Sequence, residues 1–529
     1  MTMSRFVFSN TFSQSRSLGL LTCLTVLLLN AGCATNPVTG KRELRFVSEG
    51  REVAIGQAHY LHQQQAQGGP YLTQPEISAY VQSIGAKLVD VSDRKQLPFE
   101  FVVLNNSVPN AWALPGGKIA INRGLLTEMK SEAELAAVIG HEIVHVAARH
   151  GAKSIQRGGI LQAGLMGLGL VVDDHDYRDY LLLGANVSTM LVTMKYGRGA
   201  ELEADEYGIK YMVAAGYDPH AAVELQQTFL RLANGNTPGW ISGLLASHPP
   251  SKERIVKNAE SAQTYPRGGF RGESEYRKMM EPLLAATPAY DALEKGYIAL
   301  NKKDHAGALS FVSKGLAVEP DEAHLYGLKA KALSAKGNTR QSVAALDKAI
   351  ELNNQYFEFF LLRGKFKKNL GDLSGAKRDL ARSTSMMPTA SAHLELGLMA
   401  RADGKSADAI KHFRMASQSE SPDGVQAFQS LAQLDMPSNP GRYLDALVRV
   451  NDRGMVVVGI ANKTPVDVVQ CSISVYSPTQ RRWLPYRFRG GIPKGTVQYA
   501  QTPIGPYADD QVARQQVRIR FDRVTPGGR

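Results

Sequence analysis

His141, Glu142, Ile143, Val144 and His145 set two imidazoles four residues apart, with a carboxylate beside the first. Four residues advance an α-helix by about 400°, so both rings leave one face and can grip a single divalent cation. Two neutral imidazoles leave room on that cation for a third protein ligand and a water. Glu142 is placed to take the proton of that water as it attacks a carbonyl. The chemistry is then metal-assisted peptide hydrolysis, with one Zn²⁺ per chain. The pattern requires a helix, and the flanking residues supply one. Ser131 with Glu134 forms a capping box, and Leu135, Val138, Ile139 and Val146 recur at the spacing of a buried helical face. His150, five residues past His145, is turned away from it and reads as a surface or second-face histidine outside the ligand set. Ala148 and Gly151 stand where the extended metzincin pattern requires Gly and His, which excludes that subclass.

A third ligand has to come from elsewhere in the chain. Glu201 and Asp205 share a helical face, so one carboxylate can bind the cation while the other braces a ligating imidazole; Glu203 points elsewhere. HEIVH followed by Glu201, Leu202, Glu203, Ala204 and Asp205 resembles the zinc metallopeptidase family that includes the CAAX prenyl proteases and HtpX-like membrane proteases, whose pattern is HExxH followed by ExxxD. The layout is similar to that of its periplasmic BepA-type branch, in which tetratricopeptide repeats follow the protease domain. The resemblance implies His141, His145 and Glu201 as metal ligands, Glu142 as catalytic base and Asp205 in support behind them. Two further stretches share it. Asn110 to Gly117 lead into Lys118 to Asn122 as a turn and a short strand, and an edge strand there would offer unpaired backbone groups to an extended substrate. Ser247, His248, Pro249 and Pro250 precede Arg254; His248 is a candidate fourth ligand that would displace the catalytic water, or a donor to the developing oxyanion.

Gly158 to Val172 is apolar but shorter than the roughly 20 residues a membrane span needs, and with Tyr180 to Met194 it reads as a helical lid. In HtpX-like proteins this neighbourhood spans the membrane, so the chain departs from them there. At the amino terminus, Arg5 and Arg16 precede an apolar run from Leu18 to Leu29, and Asn30, Ala31, Gly32 and Cys33 read as a lipobox. Cys33 is the expected lipidation site after removal of residues 1–32. Asn30 replaces the usual leucine, which leaves a plain secretory signal or an uncleaved anchor as alternatives. Ala34 resembles the sorting residue of outer-membrane lipoproteins, so the expected location is the periplasm, on a lipid anchor. Cys471 alone cannot form an internal disulfide and reads as a buried strand residue. The net charge of +12 points to anionic lipid or acidic partners, and the export signal disfavours nucleic acid.

Between Ala289 and Pro422 the chain repeats itself. Gly296, Ala330, Gly364 and Gly397 align, as do Ala308, Ser342, Ala376 and Ala409, then Val312, Leu346, Leu380 and Phe413, and finally Pro320, Asn354, Pro388 and Ser421. This resembles four tetratricopeptide repeats, with Lys367 standing at an apolar position. Tyr326, Phe357, Phe359 and Phe360 are assigned mostly to the solenoid core. Beyond Met436 to Pro440 the sequence alternates like strands, with a hairpin about Asp452, Arg453 and Gly454. The expected fold is multidomain: an α+β, mostly helical zincin domain over 33–285, an α-solenoid of repeats over 286–435 and a β-sandwich over 441–529. The expected activity is a zinc endopeptidase acting on protein clients. By resemblance these are outer-membrane proteins and their assembly machinery, and the role is quality control. A chaperone-like scaffold with a latent zinc site is the alternative.

Overall fold

The computed structural model describes residues 33–157, 196–234 and 248–527. The expected signal segment and both lid helices lie outside the described residues. Among those described, no helix is long and apolar enough to cross a membrane. The chain divides into two compact units, one reaching Leu328 and taking in Leu352–Gln355, the other holding Lys329–Glu351 and Tyr356–Arg529.

In the first unit β1 (Cys33–Thr35) pairs antiparallel with β2 (Arg42–Leu44), ahead of helices α1 (Glu49–Ala66) and α2 (Pro75–Asp90). Next come β3 (Glu100–Leu104), β4 (Ala111–Leu114) and β5 (Lys118–Asn122), a three-stranded sheet ordered β3-β5-β4. β3 runs parallel to β5 and β4 antiparallel to it. The expected edge strand is therefore reassigned: Lys118–Asn122 lies in the centre, and Ala111–Leu114 forms the edge. The Gly116 and Gly117 backbone, at φ 82° and 94°, folds β4 back onto β5 in a conformation that a side chain would resist.

Helix α3 (Glu132–Ala147) is buried along its whole length, its polar residues Glu132, Glu134, His141, Glu142 and His145 included. The Ser131 side chain caps it by accepting from the Glu134 amide at 3.1 Å; Glu134 reaches back to the Lys130 amide, one residue before the one a capping box would use. Helices α4 (Arg198–Ala214), α5 (His220–Asn234), α6 (Lys252–Gln263) and α7 (Glu273–Ala285) complete the surroundings of α3, with α4 its main partner.

The repeat region runs in chain order through four helix pairs, α8 (Thr287–Asn301) and α9 (His305–Val318), α10 (Ala323–Ala335) and α11 (Thr339–Leu352), α12 (Phe357–Asn369) and α13 (Leu373–Met386), α14 (Ala390–Ala402) and α15 (Ser406–Ala416), with α8 packed on α9, α12 on α13 and α14 on α15. A ninth helix, α16 (Pro422–Asp435), follows the four pairs. Ala308, Ser342, Ala376 and Ala409 are fully buried, as their recurrence requires. A Cβ on Gly364 or Gly397 would collide with Leu380 or Phe413, so those small residues set the close approach within a pair. Lys367 has a reason to be polar: with Arg363 it pairs with Asp379, whose carboxylate is buried between the helices. Phe359 and Phe360 are buried, as assigned.

Within the first unit, Glu322 of the repeat region is fully buried. Its carboxylate accepts from Asn105 at 2.9 Å, the His324 amide at 2.9 Å, and the Thr73 and Tyr290 hydroxyls at 3.2 Å. Burial disfavours the charge, but the His324 hydrogen bonds and the charges of His324 and Arg123 outweigh it and bring its pKa from 4.5 down to about 2. A pKa depressed by folding contributes stability above the unfolded value, and that stability is lost as pH falls through the folded one. Glu322→Gln is expected to cost about 3 kcal/mol at neutral pH, with the gap to the parent chain closing between pH 4.5 and 2 in urea unfolding.

The second unit ends in β6 (Leu444–Val450), β7 (Val456–Asn462), β8 (Val468–Ser477), β9 (Arg482–Phe488), β10 (Val497–Gln501) and β11 (Arg518–Pro526). They form two antiparallel sheets, β10-β7-β6 and β11-β8-β9, closed over one core that includes Val458, Ile460, Cys471, Ile473 and Val475. The β6–β7 hairpin and the buried Cys471 follow the expectation.

Candidate metal centre

Helix α3 brings His141 and His145 to one face, and α4 lies across it carrying Glu201 and Asp205. The two helices approach so closely because Gly140 and Gly208 meet at the crossing. A Cβ on Gly208 would lie 3.1 Å from the His141 nitrogen, and one on Gly140 would lie 3.2 Å from the Gly208 carbonyl. Gly208→Val is expected to push α4 away at a cost of about 1–3 kcal/mol, and to weaken zinc binding in a chelator competition.

His141 Nε2 and His145 Nε2 face each other at 3.0 Å. Glu201 Oε2 lies 3.5 Å from the first and Oε1 lies 3.4 Å from the second. His248 Nδ1 completes the group, 3.3 Å from His141 Nε2 and 3.1 Å from Glu201 Oε1. All four residues are buried. Tetrahedral zinc with bonds of about 2.0–2.2 Å holds its donors about 3.3–3.5 Å apart, so this nitrogen-rich set has the size and chemistry of a zinc site. Among the described residues, Glu142 Oε2 is a buried carboxylate oxygen with no hydrogen-bond partner, and it stands beside this group. Its carboxyl pKa is raised by burial.

Each imidazole of the pair has its own support behind it. Asp205 Oδ1 lies 2.9 Å from His141 Nδ1, and Arg254 grips the same carboxylate at 2.6 and 2.7 Å. With Nδ1–H directed to Asp205, His141 Nε2 keeps its lone pair for a metal. Burial works against a charged His141, yet without a metal the hydrogen bonds it donates to Asp205 and Glu201 outweigh it and push its pKa up to about 9. Burial likewise opposes the Glu201 charge, but His248 and the hydrogen bonds of all three histidines hold its pKa far below the usual carboxylate range. Burial dominates at His145 and drives its pKa well down.

His145 Nδ1 meets His150 Nδ1 at 2.9 Å, and His150 Nε2 meets Glu203 at 3.2 Å. His150 is therefore buried behind the pair, contrary to the surface reading. The helical wheel stops applying at Ala147, where α3 ends. Arg149 then takes φ 65°, bound by Glu52, and folds His150 back beneath His145. Sequence reasoning also missed Tyr196, whose ring stacks on His145 at 4.0 Å and 23°, and gave Arg254 no role. Arg254 follows the Ser251 cap of α6, which is the one local signal of its placement. A narrow apolar cleft runs from the group between Ala111 of β4, Val138, Met212, Leu225 and Phe229.

Comparison with known proteins agrees with this geometry. Residues 75–261 match the model of Peptidase family M48, and residues 323–356 match that of the tetratricopeptide repeat. The chain is similar to the beta-barrel assembly-enhancing protease of Escherichia coli, 28% identical over 227 residues, which are 42% of this chain and 46% of that protein. It is 31% identical over 190 residues to the protein of the same name from Yersinia pestis, covering 32% and 36% of the two chains. To the mitochondrial metalloendopeptidase OMA1 of Schizosaccharomyces pombe it is 30% identical over 225 residues, covering 42% and 65%. The matches thus span less than two thirds of these relatives' own lengths. Among solved structures, the crystal structure of MamA protein overlaps 28% of this chain and 81% of its own, at 20% identity and a TM-score of 0.25. Residues 75–261 of this chain are a Peptidase family M48 domain, followed over residues 323–356 by a tetratricopeptide repeat.

Proposed function

We propose that the chain is a zinc endopeptidase acting on protein clients in the cell envelope. The observation that carries this reading is the close buried group of His141, His145, Glu201 and His248 beside the unpartnered carboxylate oxygen of Glu142. His141, His145 and Glu201 are the ligands of the working enzyme. Zinc held there would supply a Lewis acid at the scissile carbonyl and acidify the attacking water. Glu142 takes the water's proton and returns it to the departing amine; burial, by raising its pKa, suits it to both transfers. Asp205 and His150 orient the two imidazoles, and Arg254 fixes Asp205. The cleft that Ala111 of β4 helps to line receives the client beside the metal.

His248 takes the fourth corner of the set, where a water must stand during hydrolysis. In this reading it closes the resting site and withdraws when a client enters. A corner closed most of the time holds turnover down, so His248→Ala is expected to raise kcat on casein, counted per bound zinc, by roughly tenfold. The repeats recruit the clients, and the family relatives named for β-barrel assembly support outer-membrane proteins as their class. Cys33 is the lipid attachment point that holds the protein to the periplasmic side of the outer membrane.

The closed corner also favours a second reading, a scaffold that binds clients through its repeats while the metal site stays latent. Glu142→Gln separates the two, because a scaffold retains its cellular role with that substitution and a peptidase loses it.

A further inference from the structure

The positive charge of this protein is concentrated at one end. Between residues 441 and 529 fourteen Lys and Arg face six Asp and Glu, a net +8 out of +12 for the whole chain. That segment holds the two-sheet domain, and its arginines are ordered by the pleat. In β11-β8-β9 the residues Cys471, Ile473, Val475, Leu484, Phe488 and Phe521 point into the core. Their alternates point outward. Register pairs Arg518 with Tyr476, Arg520 with Ser474 and Arg523 with Ser472, and on the other side of β8 it sets Trp483 opposite Tyr476 and Arg487 opposite Ser472. One face of one sheet therefore presents four arginines with two aromatic rings among them.

Those arginines are available. Arg487, Arg518, Arg520 and Arg523 are all exposed. Among the described residues Arg487, Arg518 and Arg523 form no ion pair, and Arg520 meets the single facing acid, Asp522, at 3.1 Å. Trp483 is 39% exposed, packs 5.5 Å from Tyr476, and lies under the Arg520 guanidinium at 5.0 Å. A large exposed indole is costly in water but settles well at the headgroup level of a bilayer, with arginines reaching the phosphates beside it.

We propose that this face docks on an anionic phospholipid surface. Two features favour a membrane over single-stranded nucleic acid. The ring that would stack a base is covered on one side by Arg520, and the arginines lie on a pleated sheet that meets a broad surface without a groove to track a strand. Docking here does not depend on the reading of the metal site. It would add a second attachment beside any lipid anchor.

The test is vesicle flotation of residues 34–529, the chain without Cys33 and the apolar run Leu18–Leu29, so that neither an acyl chain nor the signal segment contributes. Binding to phosphatidylethanolamine–phosphatidylglycerol vesicles is expected, weakening with salt, with little binding to phosphatidylcholine. Each arginine within the headgroup zone is worth about fivefold in partitioning. Arg518→Ala with Arg523→Ala should therefore weaken binding about twenty- to thirtyfold, while the two lysine replacements at the same positions retain it. Arg449→Ala with Arg453→Ala removes equal charge from the opposite sheet's hairpin and should leave binding within about fivefold of the parent. Unchanged circular dichroism confirms that each variant is folded. Equal loss in both alanine pairs, equal binding to neutral vesicles, or binding to single-stranded DNA or an acidic protein in place of vesicles would overturn the proposal.

Discussion

Glu142→Gln is expected to lower casein cleavage about a thousandfold while the purified protein keeps its zinc. The amide has nearly the shape of the carboxylate, and Glu142 is not in the ligand set, so metal affinity should stay near that of the parent chain. What the amide lacks is basicity. A positioned general base is worth about 10²–10⁴ in rate, and this one also returns the proton to the leaving amine, which places the loss toward the upper end. The readout is kcat/KM alongside zinc per chain. A variant that cleaves at more than a tenth of the parent rate, with full zinc, would exclude Glu142 as the base. Loss of zinc together with activity would mean that Glu142 helps to hold the site.

Glu201→Gln should behave differently. The carboxylate supplies the negative charge of the donor set, facing His141, His145, His248 and the Arg254 guanidinium at 3.0 Å. A neutral amide leaves the cation with nitrogen donors alone, next to a buried arginine that still has Asp205 as a partner. Replacing an outer-shell partner of a metal ligand costs about 10–100-fold in affinity, and replacing a ligand itself should cost at least about a hundredfold. Zinc should therefore be lost on dialysis, and cleavage should return in part when zinc is added back. That recovery distinguishes Glu201 from Glu142, whose glutamine variant no amount of zinc should restore.

The parts of this site that depend on spacing within one helix were legible from the sequence. His141, Glu142 and His145 needed only the helical period, and Ser131 marked where the helix begins. Glu201 and Asp205 needed the period together with a family resemblance, since two carboxylates on a helix are ordinarily a solvated face. The parts that depend on a departure from regular structure were hidden. His150 returns to the site through a left-handed Arg149, which the wheel of α3 cannot show. Tyr196 reaches His145 from outside any motif, and Gly208 matters only because Gly140 faces it across two helices. The repeats were visible because each buries the same small residues at a fixed period. In the last domain the hairpin was local enough to read. The pairing of β8 with β11 joins residues about fifty apart, and no short-range pattern encodes that contact.

The most direct test of the central claim is zinc analysis of protein purified without chelators, combined with casein cleavage before and after metal removal. One zinc per chain is expected, with cleavage abolished by a chelator and recovered on returning the ion. Protein that carries no zinc and takes none up, or that cleaves equally well after complete stripping, would contradict the assignment of His141, His145 and Glu201 as a catalytic metal site.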